Sequence, residues 1–223
     1  MVHFDEYGSG EPLVLLHGNG GSSEYFERQI PFFEQKYRVI AVDSRGHGKS
    51  ERGDGELTLS RIADDLLEVL DFLKIEKASL LGFSDGGNIA LIFAIKYPER
   101  VKCIIANGAN TEPSGATFGA NFYAYRTLFF SYFKKDGEKT RELMRLMINE
   151  PHIGAEELKS IEAPTLVIAG DRDMIKTEHT KYIARHLKNA ELCIFRDGTH
   201  FIAWERADEF NEKVHEFLQK NLK

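Results

Sequence analysis

Short runs rich in apolar residues recur at Pro12 to Leu16, Arg38 to Val42, Ala78 to Leu81, Val101 to Ala106, Pro164 to Ala169 and Glu191 to Phe195. Each is too short for a buried helix, so each reads as a strand, and the continuous ones as strands buried on both faces. Between them the period changes. Leu57, Leu59, Ile62, Ala63, Leu66, Leu67, Leu70 and Leu73 describe an amphipathic helix that Thr58 or Ser60 caps. Asn88 to Tyr97, His179 to Leu187 and the stretch holding Phe210, Val214, Phe217 and Leu218 predict further helices, and Glu24 to Phe33 another, behind Ser22 and Ser23. Strands alternating with helices imply an α/β domain with a mostly parallel sheet and right-handed crossovers. At the N-terminus Val2 to Tyr7 alternates sides and Gly8-Ser9-Gly10 turns it into Pro12 to Leu16, which predicts an antiparallel hairpin.

Candidate chemistry sits where these runs end. Leu80 to Gly87 carries Gly82-Phe83-Ser84-Asp85-Gly86, a G-x-S-x-G pattern between a strand and a helix. On so sharp a turn the serine is pushed out of the sheet, the flanking positions must be small, and the helix N–H groups point at any negative charge forming there. His17-Gly18-Asn19-Gly20-Gly21 follows another strand and could lend a backbone N–H to an oxyanion, or simply connect strand to helix. His47, between two glycines in Asp43 to Ser50, reads as a turn residue. Serine needs a base, and the base needs a carboxylate to orient it. The order Ser84, then Asp171 or Asp173, then His200 supplies both, each just after a predicted strand. Two acids compete for the third role. Asp171 lies nearer the strand end; Asp173 is better placed to cross to the loop of His200.

The alternation stops between residues 109 and 163. There Phe118, Phe122, Tyr123, Tyr125, Phe129, Phe130, Tyr132 and Phe133 crowd one stretch, which reads as an inserted helical lid. The expected division is a core of residues 1–108 and 164–223 with a lid of 109–163. Most rings are expected to pack the lid onto the body, and a few, Phe122 and Tyr125 among them, to line an apolar pocket above Ser84. With 223 residues, 42% hydrophobic and 29% charged, the chain suits one soluble domain with an insertion. A net charge of −6 without a basic cluster argues against a nucleic-acid partner. No apolar run reaches membrane-span length and no secretory signal pattern opens the chain, so the expectation is no membrane and a cytoplasmic location. Cys103 and Cys193 sit within apolar runs without a C-x-x-C partner, which predicts core thiols rather than a disulfide or a metal site.

Taken together, PLVLLHGNGG, DSRGHGKS, GFSDGG, PTLVIAGDRD and DGTHF resemble the α/β-hydrolase superfamily over nearly the whole chain. The resemblance implies that fold, with helices on both faces of the sheet and about seven strands, because the N-terminus lacks room for the first of the usual eight. It implies Asp173 as the acid, and the backbone N–H groups of Asn19 and Asp85 as oxyanion donors. It implies no metal and no organic cofactor, and disfavours epoxide and haloalkane hydrolases, which carry a carboxylate where Ser84 stands. LLGFSDGGNIAL, KYPERV and NGAN are similar to the branch of biphenyl hydrolase-like and valacyclovir hydrolases. The expected activity is cleavage of a small acyl substrate: ester, thioester or amide. The alternatives are a C–C bond hydrolase or perhydrolase, and a ligand sensor on the same body. Asp85 stays open between pairing with a substrate ammonium and bonding the helix N-terminus.

Overall fold

In a computed structural model that describes residues 1–222, the chain forms β1 (Phe4–Tyr7), β2 (Glu11–Leu16), α1 (Ile30–Phe33), β3 (Tyr37–Val42), α2 (Leu59–Phe72), β4 (Ala78–Phe83), α3 (Asp85–Lys96) and β5 (Val101–Asn107). Then follow α4 (Phe118–Ser131), α5 (Glu138–Asn149), α6 (Ala155–Ser160), β6 (Thr165–Gly170), α7 (Thr177–His186), β7 (Ala190–Phe195), α8 (Ile202–Glu205) and α9 (Ala207–Asn221). The seven strands form one sheet in the order β1-β3-β2-β4-β5-β6-β7, parallel except for β1.

Alternate residues of each strand feed opposite faces. Val14, Leu16, Ile40, Leu80 and Ile104 pack with α2 and α3 on one side. Leu13, Leu15, Val39, Leu81 and Ile105 pack with Phe33 of α1 and with Phe210, Val214 and Phe217 of α9 on the other. That double burial is why these strands read as continuous apolar runs. Thr58 caps α2, its side chain accepting the Arg61 N–H.

Two expectations fail. β1 does not form a hairpin with β2; it pairs antiparallel with β3, Phe4 opposite Val42 and Tyr7 opposite Val39. β2 takes parallel partners on both edges, β3 and β4, which leaves no edge for β1. Gly8 makes the detour: at φ 67° it packs so closely on the end of α1 that a Cβ would lie 2.1 Å from the Glu34 carbonyl oxygen. The helix expected over Glu24 to Phe33 is instead a 3-10 turn, Ser23–Phe26, followed by the short α1, with Pro31 at its start. Among the described residues no helix is long and apolar enough to cross a membrane. Cys103 and Cys193 are free.

Candidate active site

The strand β4 delivers Ser84 at the mouth of the sheet with φ 54° and ψ −119°, a conformation that costs a non-glycine residue about 1–3 kcal/mol. The neighbours explain why glycine brackets it. A Cβ on Gly86 would stand 1.9 Å from the Leu16 carbonyl oxygen, and one on Gly82 2.1 Å from the Gly86 carbonyl oxygen. The helix α3 starts at the next residue, so its N-terminal dipole and free N–H groups face the serine hydroxyl.

His200, on the loop after β7, brings Nε2 to 3.0 Å from Ser84 Oγ. Its Nδ1 lies 2.6 Å from Asp173 Oδ1, which also accepts the Ile175 N–H at 2.8 Å. The imidazole and the Asp173 carboxylate are buried. Asp171 is exposed and points to none of these groups; its backbone N–H donates to the Phe195 carbonyl. Of the two candidate acids, Asp173 is the one in contact with His200. The chain of contacts lets a proton pass from the hydroxyl to a held imidazole, whose positive charge the buried carboxylate offsets.

Opposite, the loop after β2 presses onto the serine: a Cβ on Gly18 would lie 3.0 Å from that of Ser84. Neither the Asn19 nor the Asp85 amide N–H donates to any turn or side-chain acceptor among the described residues, which leaves both open to an oxyanion. His17 fixes this loop. Burial pushes its imidazole down to about 4, so it is neutral; Nε2 accepts the Ser44 N–H at 3.0 Å, and Nδ1–H donates to the Gly18 carbonyl at 2.7 Å. His47 is a buried turn residue that contacts the Arg45 carbonyl, with no part in the proton chain.

A cavity of about 50 Å³ opens over Ser84 and His200, walled by Asn19, Asp85, Asn110, Asn121 and Glu150 with Met147, Met174 and Ile175. Besides the His200 imidazole its ionisable walls are carboxylates; no lysine or arginine lines it. Asp85 is buried; Oδ1 accepts from Asn88 Nδ2 at 3.1 Å, while Oδ2 has no partner. Burial, only partly offset by Asn88, the nearby His200 imidazole and Asn19, pushes this carboxyl up to about 6. Among the described residues its side chain joins no ion pair, and it accepts from the Asn88 side chain rather than from a backbone N–H of α3. Asn19 donates Nδ2 to the Leu143 carbonyl at 2.9 Å, which leaves its buried Oδ1 without a donor too.

Phe122 and Tyr125 do not line this cavity. They are 57% and 58% exposed on the outer side of α4, and Ala120 and Asn121 form the wall instead. Nor do the other rings of that stretch pack it onto the body; all eight are exposed. The sequence reading missed two residues at the site. Gly108, at φ 63°, lies under the imidazole: a Cβ there would stand 2.8 Å from His200 Cε1. An Asn-Gly pair ending a strand was the available signal. Glu150 follows α5, lines the cavity, and accepts the Leu59 N–H at 2.8 Å, with burial raising its carboxyl. It also lines a groove of about 680 Å³ between residues 46–57 and α5.

A family model described as the alpha/beta hydrolase fold matches residues 11–142. The human serine hydrolase BPHL is 32% identical, over 98% of this chain and 83% of that protein. The 2-hydroxy-6-oxo-6-phenylhexa-2,4-dienoate hydrolase of Comamonas testosteroni is 30% identical, over 99% of this chain and 92% of its own. Among solved structures, a meta-cleavage product hydrolase of Pseudomonas fluorescens superposes with a TM-score of 0.81 at 25% identity, covering 98% of this chain and 94% of its own. Est816, described as an N-acyl homoserine lactone degrading enzyme, gives 0.80 at 28% identity, covering 97% and 96%. By sequence and by fold alike, this chain belongs to the α/β-hydrolase family and is a hydrolase.

Proposed function

We propose that the protein is a serine hydrolase that cleaves small esters, thioesters or amides bearing an amine close to the scissile carbonyl. The observation that carries this reading is the unbroken contact chain Asp173, His200, Ser84 on a strained elbow. Ser84 Oγ attacks the carbonyl carbon while His200 Nε2 takes its proton. The tetrahedral oxyanion meets the N–H groups of Asn19 and Asp85, each worth a few kcal/mol at about 10²- to 10³-fold in rate. His200 returns the proton to the leaving group. Water, activated by the same imidazole, then releases the acyl group.

The amine is argued from the wall of the cavity. Asp85 and Glu150 face it without a cation, and the unpaired Oδ2 of Asp85 and Oδ1 of Asn19 are acceptors lacking donors. An ammonium supplies charge and hydrogen bonds together. The same carboxylates repel an anionic dienoate of the kind named for the Comamonas relative, which favours acyl-ester over C–C bond chemistry. The unligated protein pays for this arrangement. With the folded carboxyl raised, protonated Asp85 contributes stability at low pH that is lost as the pH rises through about 6. A bound ammonium reverses that loss.

Asp85→Asn is expected to lower kcat/KM for an aminoacyl p-nitrophenyl ester about 10- to 100-fold relative to its des-amino analogue. In the wild type the preference for the amine falls as the pH drops through about 6, where Asp85 becomes neutral. Equal preference in the two proteins, or a preference flat across that range, defeats the amine reading while leaving the serine chemistry intact. Gly108→Ala tests the seat of the imidazole. The new methyl meets His200 and strains a left-handed backbone, so kcat is expected to fall about 10²-fold with KM little changed. Unaltered kcat means the imidazole is not seated there.

A further inference from the structure

Helix α4 is built inside out. Its inner face is Ala120, Asn121, Ala124, Thr127, Leu128 and Ser131, buried or half-buried, while its rings face outward. At 100° per residue Phe118, Phe122, Arg126, Phe129 and Phe133 fall within an arc of about 80°. Phe130 and three tyrosines flank it. A soluble helix arranges these residue types the other way round. The eight rings are 52% to 83% exposed, which at roughly 150–250 Å² per ring leaves on the order of 1,000 Å² of aromatic surface uncovered.

We propose that this face is the two-fold interface of a homodimer, in which a second copy of the chain lays its own α4 antiparallel across the first. This goes beyond the hydrolytic reading and does not depend on it. The uncovered area exceeds the roughly 300–600 Å² of the largest apolar patch on a typical monomer and matches the roughly 800 Å² per partner of a standard interface. The composition is that of an interface core. From Phe118 to Phe133 there is one arginine, Arg126, set near the Phe130 ring, and no lysine, aspartate or glutamate. The ends of the stripe differ in charge: exposed Glu112 lies ahead of it, while behind it exposed Lys134, Lys135 and Lys139 outweigh exposed Asp136 and Glu138 by one positive charge. Antiparallel pairing sets each lysine pair toward the other copy's Glu112; parallel pairing opposes like charges. A lipid surface fits less well. Asp136 and Glu138 stand beside Lys134, Lys135 and Lys139, whereas attraction to anionic lipid needs a basic cluster. Because Ala120 and Asn121 wall the catalytic cavity from the inner side of this helix, the dimer forms directly over the site.

Sedimentation velocity on the full chain tests the proposal. The wild type is expected to sediment as a dimer at micromolar concentrations. Phe129→Glu, at a solvent-facing position, should leave Tm and esterase activity in place while raising the dimer dissociation constant about thirty-fold or more. Lys134→Glu with Lys135→Glu should also weaken the dimer, and adding Glu112→Lys should restore it. A monomeric wild type, or a Phe129→Glu protein that dimerises as tightly as the wild type, overturns the interface. Failure of the charge reversal to restore association overturns the antiparallel order. A monomer that instead floats with phosphatidylcholine and phosphatidylglycerol vesicles assigns the face to lipid and likewise overturns the proposal.

Discussion

Ser84→Ala is expected to lower kcat on p-nitrophenyl acetate by about 10⁴- to 10⁶-fold, the loss that follows removal of a nucleophile from a working triad. The substitution is unusually clean here. The Ser84 hydroxyl accepts no capping hydrogen bond from a backbone N–H of α3, so alanine leaves that helix intact. Its backbone already occupies φ 54°, which is as strained for alanine as for serine. Tm should therefore stay near the wild-type value. Loss of activity with retained Tm assigns the loss to the missing oxygen. Retained activity with retained Tm removes Ser84 from the chemistry.

Asp173→Asn should cost about 10⁴-fold in kcat with little change in KM. Asp173 Oδ1 accepts both the Ile175 N–H and His200 Nδ1, so an asparagine oxygen can hold the loop but carries no charge to offset the imidazolium. Its amide nitrogen falls where Oδ2 now sits, buried and without a partner, which adds an unsatisfied donor or flips the amide against the imidazole. Asp171→Asn is the control. That side chain is exposed, and its replacement should leave kcat within about two-fold, as surface changes away from special features generally do. The opposite ranking would move the acid to Asp171.

Much of this was legible because it is local. The buried strands declared themselves through continuous apolar runs, and the serine through small residues imposed by a turn that admits no Cβ. For the candidate acid the residue pattern alone left Asp171 and Asp173 open and only the family resemblance pointed to Asp173, since which carboxylate reaches the histidine loop depends on the turn at Ile175, which no local pattern encodes. The pairing of β1 was illegible for a related reason. Gly8 and Gly10 permit a hairpin and a crossover equally, and the contact with the Glu34 carbonyl that decides between them is remote in sequence. For α4 the pattern itself misled. Aromatic residues at helical spacing normally face the core, and only the small inner side chains facing α5 reveal that these face out. Gly108 and Glu150 escaped because their importance lies in contacts with His200 and with the cavity, made by residues far along the chain.

The most direct test of the central claim is to treat the protein with a fluorophosphonate and locate the adduct by peptide mass. A single adduct on the Ser84 peptide, absent from Ser84→Ala and strongly slowed in His200→Ala, is the predicted result. An unlabelled wild type, or an adduct on any other residue, contradicts it.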